Sequence, residues 1–330
     1  MSIFTLNDYF SDVFVIHMES DYERKKQMDI QFSKINTKYS IRSGIIPTKK
    51  DREEYTTPIC STFCSKSMVG CYLAHRRIWE EVVEKELPSV VIFEDDVVFT
   101  DTIANQLPLA IKELPEEWDL LHLGCLSCQE SSLAFVHLFT NWSKLIKPSL
   151  EPYSDNLVIP NSTFGTEAYA LSLAGARKLL ELLPKASNHV DFMISNNLEK
   201  IKHYAIYPQV AYQHPNGFKY TNNGSLVPIL LNTFVSNIRL QPRNPYNHTT
   251  LAYGLSIPLA QVNNSIIING WSIIFFLCGI IHPWTFYVVL TLIIIDILYA
   301  LYQSPNTIKP GQYTFYIYML CIGFLIRNLM

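Results

Sequence analysis

The run Ser89-Val-Val-Ile-Phe93 constrains this chain more than any other feature. It is continuously apolar, and a strand written that way must be covered on both faces. That is the condition of a central strand in a parallel sheet flanked by helices. The run ends directly in Glu94-Asp95-Asp96. In open α/β sheets, ligands bind outside the carboxyl ends of the strands. Three adjacent acids at such a place repel one another, and a hard divalent cation relieves that repulsion. Carboxylate oxygens suit Mg²⁺ or Mn²⁺. The local residues leave two readings open: a cation bridging the acids to a diphosphate, or a solvated acidic turn.

The surrounding sequence alternates strand and helix as an α/β fold requires. Asp12–Met18 reads as a buried strand, and Glu19–Lys34 as a helix carrying Met28 and Phe32. Residues 47–66, rich in Pro, Thr, Ser and charge, read as a loop. Residues 69–87 form the clearest helix, with Tyr72, His75, Trp79, Val82 and Val83 on one face, stopped by Pro88. Trp118–Gly124 and Ala168–Leu173 read as strands, and Gly175–Leu183 as a helix ended by Pro184. His203–Tyr212 reads as an edge or bulged strand because Pro208 interrupts it. Residues 125–165 show no regular pattern and read as a variable loop region.

Composition matters mainly for where it shifts. Hydrophobic residues make up 48% of the 330 and charged residues 17%, and the apolar excess lies after about residue 250. Residues 1–240 read as one domain and 241–265, with three prolines, as a linker. Residues 266–330 read as a membrane region with helices near 266–281, 284–302 and 313–328. At ~1.5 Å per residue the first two reach about 24 and 28 Å, against a hydrocarbon core of roughly 30 Å. The stretch Ile266–Tyr302 carries one formal charge, Asp296, which would cost ~3 kcal/mol at mid-membrane and is expected to face another helix. Lys309 between the last two stretches places that loop, and with it the N-terminal domain, on the cytosolic side of a multi-pass protein. Met1–Phe10 lacks the basic start and long apolar core of a signal peptide. Five Asn-x-Ser/Thr sequons, at Asn141, Asn161, Asn223, Asn247 and Asn263, argue weakly for the opposite side.

With 26 basic and 29 acidic residues, a net charge of −3 and no basic stripe, nucleic acid is not an expected partner. Of seven cysteines, Cys60 and Cys64 are four apart, and Cys125 and Cys128 form a C-x-x-C. The two pairs could hold zinc, although knuckle spacing fits only one of them. Reduced, partly buried thiols are the plainer reading, and the odd count argues against a disulfide framework.

Six blocks of the sequence, in order across about 200 residues, resemble family 25 glycosyltransferases, which include bacterial lipooligosaccharide galactosyltransferases and animal collagen galactosyltransferases. They are Val13-Phe-Val-Ile-His-Met-Glu-Ser-Asp-Tyr-Glu-Arg24; Gly70-Cys-Tyr-Leu-Ala-His75 with Trp79; Val91-Ile-Phe-Glu-Asp-Asp96; Trp118-Asp-Leu-Leu-His-Leu-Gly124; Gly165 to Leu180 with the following His189-Val-Asp191; and Tyr207-Pro-Gln-Val210. His17-Met18 stands where the family has Asn-Leu, and Ala74 where it has Ser. The apolar tail lies outside the resemblance.

The resemblance implies a GT-A-like fold, a mixed sheet with flanking helices binding a nucleotide-sugar. It also implies a UDP-sugar donor, with galactose or glucose as the hexose, and inversion at the anomeric carbon. A cation, Mn²⁺ or Mg²⁺, would stabilise the leaving diphosphate. Asp96 is the expected main ligand, with Glu94 and Asp95 supporting it or touching sugar and ribose. Arg24 is expected on the donor phosphates, His75 at the donor site, and His214 as a further metal ligand. Asp191 is the expected base for the acceptor hydroxyl of a glycan or protein. Other readings of these residues are a cap of a helix starting at Phe192 for Asp191, a core histidine for His75 and a solvated surface arginine for Arg24. Phosphoryl-transfer chemistry would want a D-x-D-x-T arrangement, which Asp96-Val-Val-Phe-Thr100 does not supply. A non-catalytic membrane protein with a decayed transferase domain is the remaining alternative.

Overall fold

The computed structural model describes residues 4–125, 128, 150–213, 228–235, 238, 251–256, 258–262, 266–303 and 310–330. The chain forms two compact units. The first contains the described residues up to Thr57 and those from Ser67 to Gln213; the second contains Pro58–Lys66 and the described residues from 228 onward.

The first unit is built on an eight-stranded mixed sheet. Its strands are β1 (Asp12–His17), β2 (Ser40–Ser43), β3 (Ser89–Glu94), β5 (Leu120–Gly124), β6 (Leu150–Pro152), β7 (Leu157–Pro160), β8 (Ala168–Ser172) and β9 (His203–Ile206), in the order β2-β1-β3-β8-β5-β9-β7-β6. A separate antiparallel ribbon pairs β4 (Val97–Phe99) with β10 (Ala211–Gln213). The Ser89–Phe93 run does lie at the centre, with Val90 through Phe93 all fully buried. It runs parallel to β1 and antiparallel to β8.

Both faces of that strand are covered, as its composition requires. On one face Val91 and Phe93 join Val13, Val15, Leu121, Leu123, Ala168 and Ala170 in the main core. Met28 and Phe32 of α1 (Tyr22–Lys34) and Leu107 and Ala110 of α5 (Ile103–Glu113) close that core. Residues 47–66 are helical rather than loop. They form α2 (Lys49–Tyr55) and α3 (Pro58–Phe63), and Thr48 and Asp51 make a reciprocal capping box that a reading by composition overlooks. The long helix α4 (Lys66–Glu84) follows. It buries Tyr72, His75, Ile78 and Trp79, and Trp79 Nε1 donates to the Tyr169 hydroxyl of β8 at 2.9 Å. The helices α6 (Leu173–Leu182) and α7 (Val190–Ser195) complete the unit.

The segment His203–Tyr212 is not one strand. It splits at the cis Tyr207–Pro208 bond into β9 of the main sheet and β10 of the ribbon. Residues 125–165 contain β6 and β7, while residues 126–127 and 129–149 lie outside the described part. The cysteines also depart from expectation. Cys60 is bonded to Cys64 and Cys125 to Cys128, at Cα–Cα separations of 4.6 and 5.4 Å, inside the range a disulfide bridges. Short spacings let each pair close on itself.

The second unit holds α8 (Ile229–Val235), α9 (Leu251–Ser256), the hairpin β11 (Ala260–Val262) and β12 (Ile266–Ile268), and α10 (Gly270–Ile281), α11 (Pro283–Gln303) and α12 (Pro310–Leu329). Parts of the expected 241–265 linker are therefore ordered as helix and strand. Because Ile266–Ile268 pair with the hairpin, α10 is left with 12 residues, about 18 Å, too short for a hydrocarbon core of roughly 30 Å. Among the described residues only Pro283–Tyr302 is long and apolar enough to cross a membrane, so the expected set of two or three spans is not supported. Along α11, Trp284, Tyr287, Leu292 and Leu298 are exposed, while Asp296 is fully buried. The Asp296 carboxylate accepts from the Leu231 N–H at 2.9 Å and from the Tyr313 hydroxyl at 2.5 Å. The acid thus faces its neighbours within the unit, as its cost in an apolar setting demands.

Candidate active site

Parallel pairing brings the acids into company. β1 and β3 are in register with Ile16 opposite Glu94, so the residues that follow, His17 and Asp95, emerge side by side. β8 runs the other way, so its leading residues Thr166 and Glu167 arrive at the same edge. The Glu94 N–H donates to the Glu167 carbonyl at 3.1 Å, and the Thr166 hydroxyl donates to Glu94 Oε1 at 2.6 Å. The β4–β10 ribbon sets Gln213 opposite Val97, and Gln213 Nε2 donates to Asp96 Oδ2 at 3.1 Å.

The three carboxylates do different work. Asp95 is buried, and both its oxygens are held: Oδ2 lies 2.8 Å from His17 Nδ1, and Oδ1 accepts from Arg24 Nη1 at 2.5 Å. Asp95 therefore fixes the two groups that line the edge rather than offering itself to a ligand. Arg24 reaches it from the first turn of α1, where Asp21 caps the helix through the Arg24 N–H. The same guanidinium lies 3.6 Å from Asp96 Oδ2. Asp96 is buried, and among the described residues its Oδ1 has no hydrogen-bond partner. A buried oxygen left in that condition costs about 1–3 kcal/mol, a cost that a bound cation would relieve.

Charge follows the geometry. Burial, helped by Glu94 and Asp95, pushes the Asp96 carboxyl up to about 7 against the pull of Arg24. Burial also opposes ionisation of Glu94, but His75, Thr166 and Arg24 outweigh it and hold that carboxyl below its usual range. The Glu167 carboxyl is pushed well up by burial and then by Glu94, Asp96 and Asp191. Nothing in its local sequence announced it.

His75 is fully buried on α4, with Nδ1 2.9 Å from the Tyr169 hydroxyl and Nε2 3.5 Å from Glu94 Oε1. It is thus both a packed core histidine and a neighbour of the acids. One turn earlier, Cys71 joins it: the ligand atoms of Cys71, His75 and Glu94 lie within 4.8 Å of one another. Burial pushes the Cys71 thiol well up, and the nearby carboxylates add to that, so it stays a thiol. A close approach explains Gly70 in the same motif, since a Cβ there would stand 2.2 Å from the Ile45 carbonyl oxygen.

Asp191 sits in the first turn of α7, whose N-cap is His189, so the capping reading placed the helix start two residues late. Its Oδ1 accepts from the Phe192 N–H at 2.8 Å and its Oδ2 from the Gly165 N–H at 2.9 Å. Gly165, at φ 85, takes a left-handed turn that suits glycine, and the next residue, Thr166, holds Glu94. Asp191 and the acidic edge are therefore linked through two adjacent residues. A carboxylate offers about four lone pairs, so Asp191 keeps acceptor capacity beyond these two bonds. His214 lies outside the described residues. The structure thus brings Arg24, His75, Glu94, Asp95 and Asp96 together with Asp191 nearby, and adds His17, Cys71, Thr166, Glu167 and Gln213.

The oxygen donors of Glu94 and Asp96 fit a hard divalent cation. Such an ion would have to displace the proton that Asp96 holds below about pH 7. Mn²⁺ affinity should therefore fall as pH drops below 7, by up to about tenfold per unit. Asp96→Asn should remove both the binding and the slope, as read by calorimetric titration.

The sequence pattern of glycosyltransferase family 25 (LPS biosynthesis protein) matches residues 10–194, more than half of the chain. "Probable inactive glycosyltransferase 25 family member 3" of Rattus norvegicus is 37% identical over 136 residues, covering 39% of this chain and 21% of that protein. "Procollagen galactosyltransferase 1-A" of Xenopus laevis is 24% identical over 191 residues, covering 53% of this chain and 29% of that protein. The chain thus spans less than a third of the length of these relatives. The solved structure of galactosyltransferase LgtC with donor and acceptor sugar analogues matches 59% of this chain and 72% of that one. Its TM-score of 0.34 and 13% identity are too low to bear on the argument.

Proposed function

The chain belongs to glycosyltransferase family 25, and we propose that its first unit transfers a hexose from a UDP-sugar to a hydroxyl of a glycan or protein. Galactose or glucose is the hexose, and the anomeric carbon inverts. The observation that carries this reading is the unpartnered, buried Oδ1 of Asp96 beside the Arg24 guanidinium. It is a cation ligand next to a fixed positive group, the combination a departing diphosphate needs.

Mn²⁺ or Mg²⁺ held by Asp96 and Glu94 would supply Lewis-acid stabilisation of the leaving diphosphate. Arg24, anchored through Asp95, would set the positive charge of its guanidinium against the phosphate oxygens. Thr166 and His75 would set the orientation of Glu94. Asp191 would take the proton of the acceptor hydroxyl, with Gly165 and Phe192 N–H groups holding its carboxylate in place. Burial opposes ionisation of Glu167, which would limit the negative charge at the edge.

The proposal is tested with the full chain, Mn²⁺ and a panel of nucleotide-sugars, by following diphosphate release. Turnover is expected with a UDP-hexose, with none above background for Asp96→Ala and a loss of about 10²–10⁴-fold for Asp191→Asn. Full activity in Asp96→Ala would remove the metal role. A second reading is that the unit binds a nucleotide-sugar without transferring it; the similar proteins of Rattus norvegicus and Bos taurus are named as probable inactive members of the family. Saturable binding of a UDP-sugar with no turnover on any donor would establish that reading instead.

We also propose that α11 attaches the chain to a membrane. Its support is the apolar length of Pro283–Tyr302 and the exposed Trp284, Tyr287, Leu292 and Leu298. The chain should remain with membranes through alkaline carbonate extraction, and release into the soluble fraction would contradict a spanning helix.

A further inference from the structure

In the middle of β5 stands a group that the transferase reading does not use. His122 is 1% exposed, and among the described residues neither of its ring nitrogens has a hydrogen-bond partner. Leaving two ring nitrogens dry and unpaired is expensive, since each buried polar group without a partner costs about 1–3 kcal/mol. The potential ligand atoms of His122, Cys125 and Cys128 lie within 4.8 Å of one another, and all three residues are buried. Around the cysteines pack Val158 and Ala205, with Leu150 and Tyr207 against them, and buried Gln209 accepts from the Cys125 N–H through Oε1 at 3.3 Å.

We propose that His122, Cys125 and Cys128 form a zinc site, separate in chemistry from the carboxylate edge. Two thiolates, one neutral imidazole and Zn²⁺ sum to zero charge, the only total that a buried pocket accepts cheaply. Sulfur and imidazole donors select a borderline-soft ion, whereas Mn²⁺ and Mg²⁺ prefer the oxygens of Glu94 and Asp96. The two donor sets therefore prefer different metals. Each potential ligand comes from β5 or the residues just past it, so a bound ion would tie the residues after the strand back to it. Three protein ligands leave a fourth tetrahedral position for water or a neighbouring group.

The cysteines are joined as a disulfide in this structure, and that is the oxidised alternative of the same site. A dithiol reductant gives two electrons and two protons to the bond, yielding two thiols and its own cyclic disulfide. Zn²⁺ then replaces the two thiol protons, which leave to solvent. Metal binding and disulfide formation exclude each other.

The test uses the full chain, reduced with a dithiol and desalted without oxygen, then titrated with Zn²⁺ and separately with Co²⁺. The proposal expects one tightly held ion per chain and a thiolate-to-cobalt charge-transfer band. The band should vanish in Cys128→Ser, weaken at least tenfold in affinity in His122→Gln, and persist in the Cys60→Ser/Cys64→Ser double variant and in Asp96→Asn. Far-ultraviolet circular dichroism checks that each variant is folded. The His122→Gln variant and the wild-type spectrum keep the test decisive if a cysteine variant does not fold. A folded, reduced wild-type chain with no charge-transfer band overturns the site, and so does a band unchanged by His122→Gln or by loss of Cys128.

Discussion

The Asp95 carboxylate, clamped between Arg24 and His17, is the interaction on which the site depends. It consumes one acid of the triplet to hold a half-buried guanidinium in place. The remaining balance is simple. Glu94, Asp95 and Asp96, when ionised, carry three negative charges, and Arg24 returns one positive. A divalent cation would bring that sum to zero, while without one the edge keeps part of its charge neutral by protonating Asp96.

The sheet exists to make that arrangement possible. Parallel pairing of β1 with β3 sets His17 beside Asp95, and antiparallel entry of β8 delivers Thr166 and Glu167 to the same edge. The buried side chains of Val90 to Phe93 hold the strand from both faces, at roughly 1.5–3 kcal/mol for each large residue. The Tyr169 hydroxyl ties Trp79 and His75 of α4 to β8. Packing thereby fixes the imidazole that faces Glu94.

The central strand, the helix read at 69–87 and found at Lys66–Glu84, and the acidic triplet were legible in the sequence because each is a local pattern. So was the burial of Asp296, since a lone acid in an apolar run must find a partner. What was not legible depends on pairing between distant segments. Glu167 looks like any strand-leading acid until β8 is set against β3. Gln213 reaches Asp96 only because the chain leaves the main sheet at Tyr207–Pro208 and returns as the ribbon strand β10. The helices at 49–63 were hidden by a composition that resembles loop, although Thr48 and Asp51 carried a capping signal. The apolar stretch from Ile266 misled for a related reason: its first residues pair as a strand, which shortens the helix after them.

The division of labour within the triplet has a direct consequence for nucleotide binding. If Asp96 and Glu94 hold a cation and Arg24 faces the same edge, a diphosphate should bind well only when the cation is present. Calorimetric titration of the full chain with UDP, with Mn²⁺ and then with the ion chelated, measures this coupling. The account predicts affinity at least tenfold stronger with Mn²⁺. Equal affinity in the two conditions would contradict it.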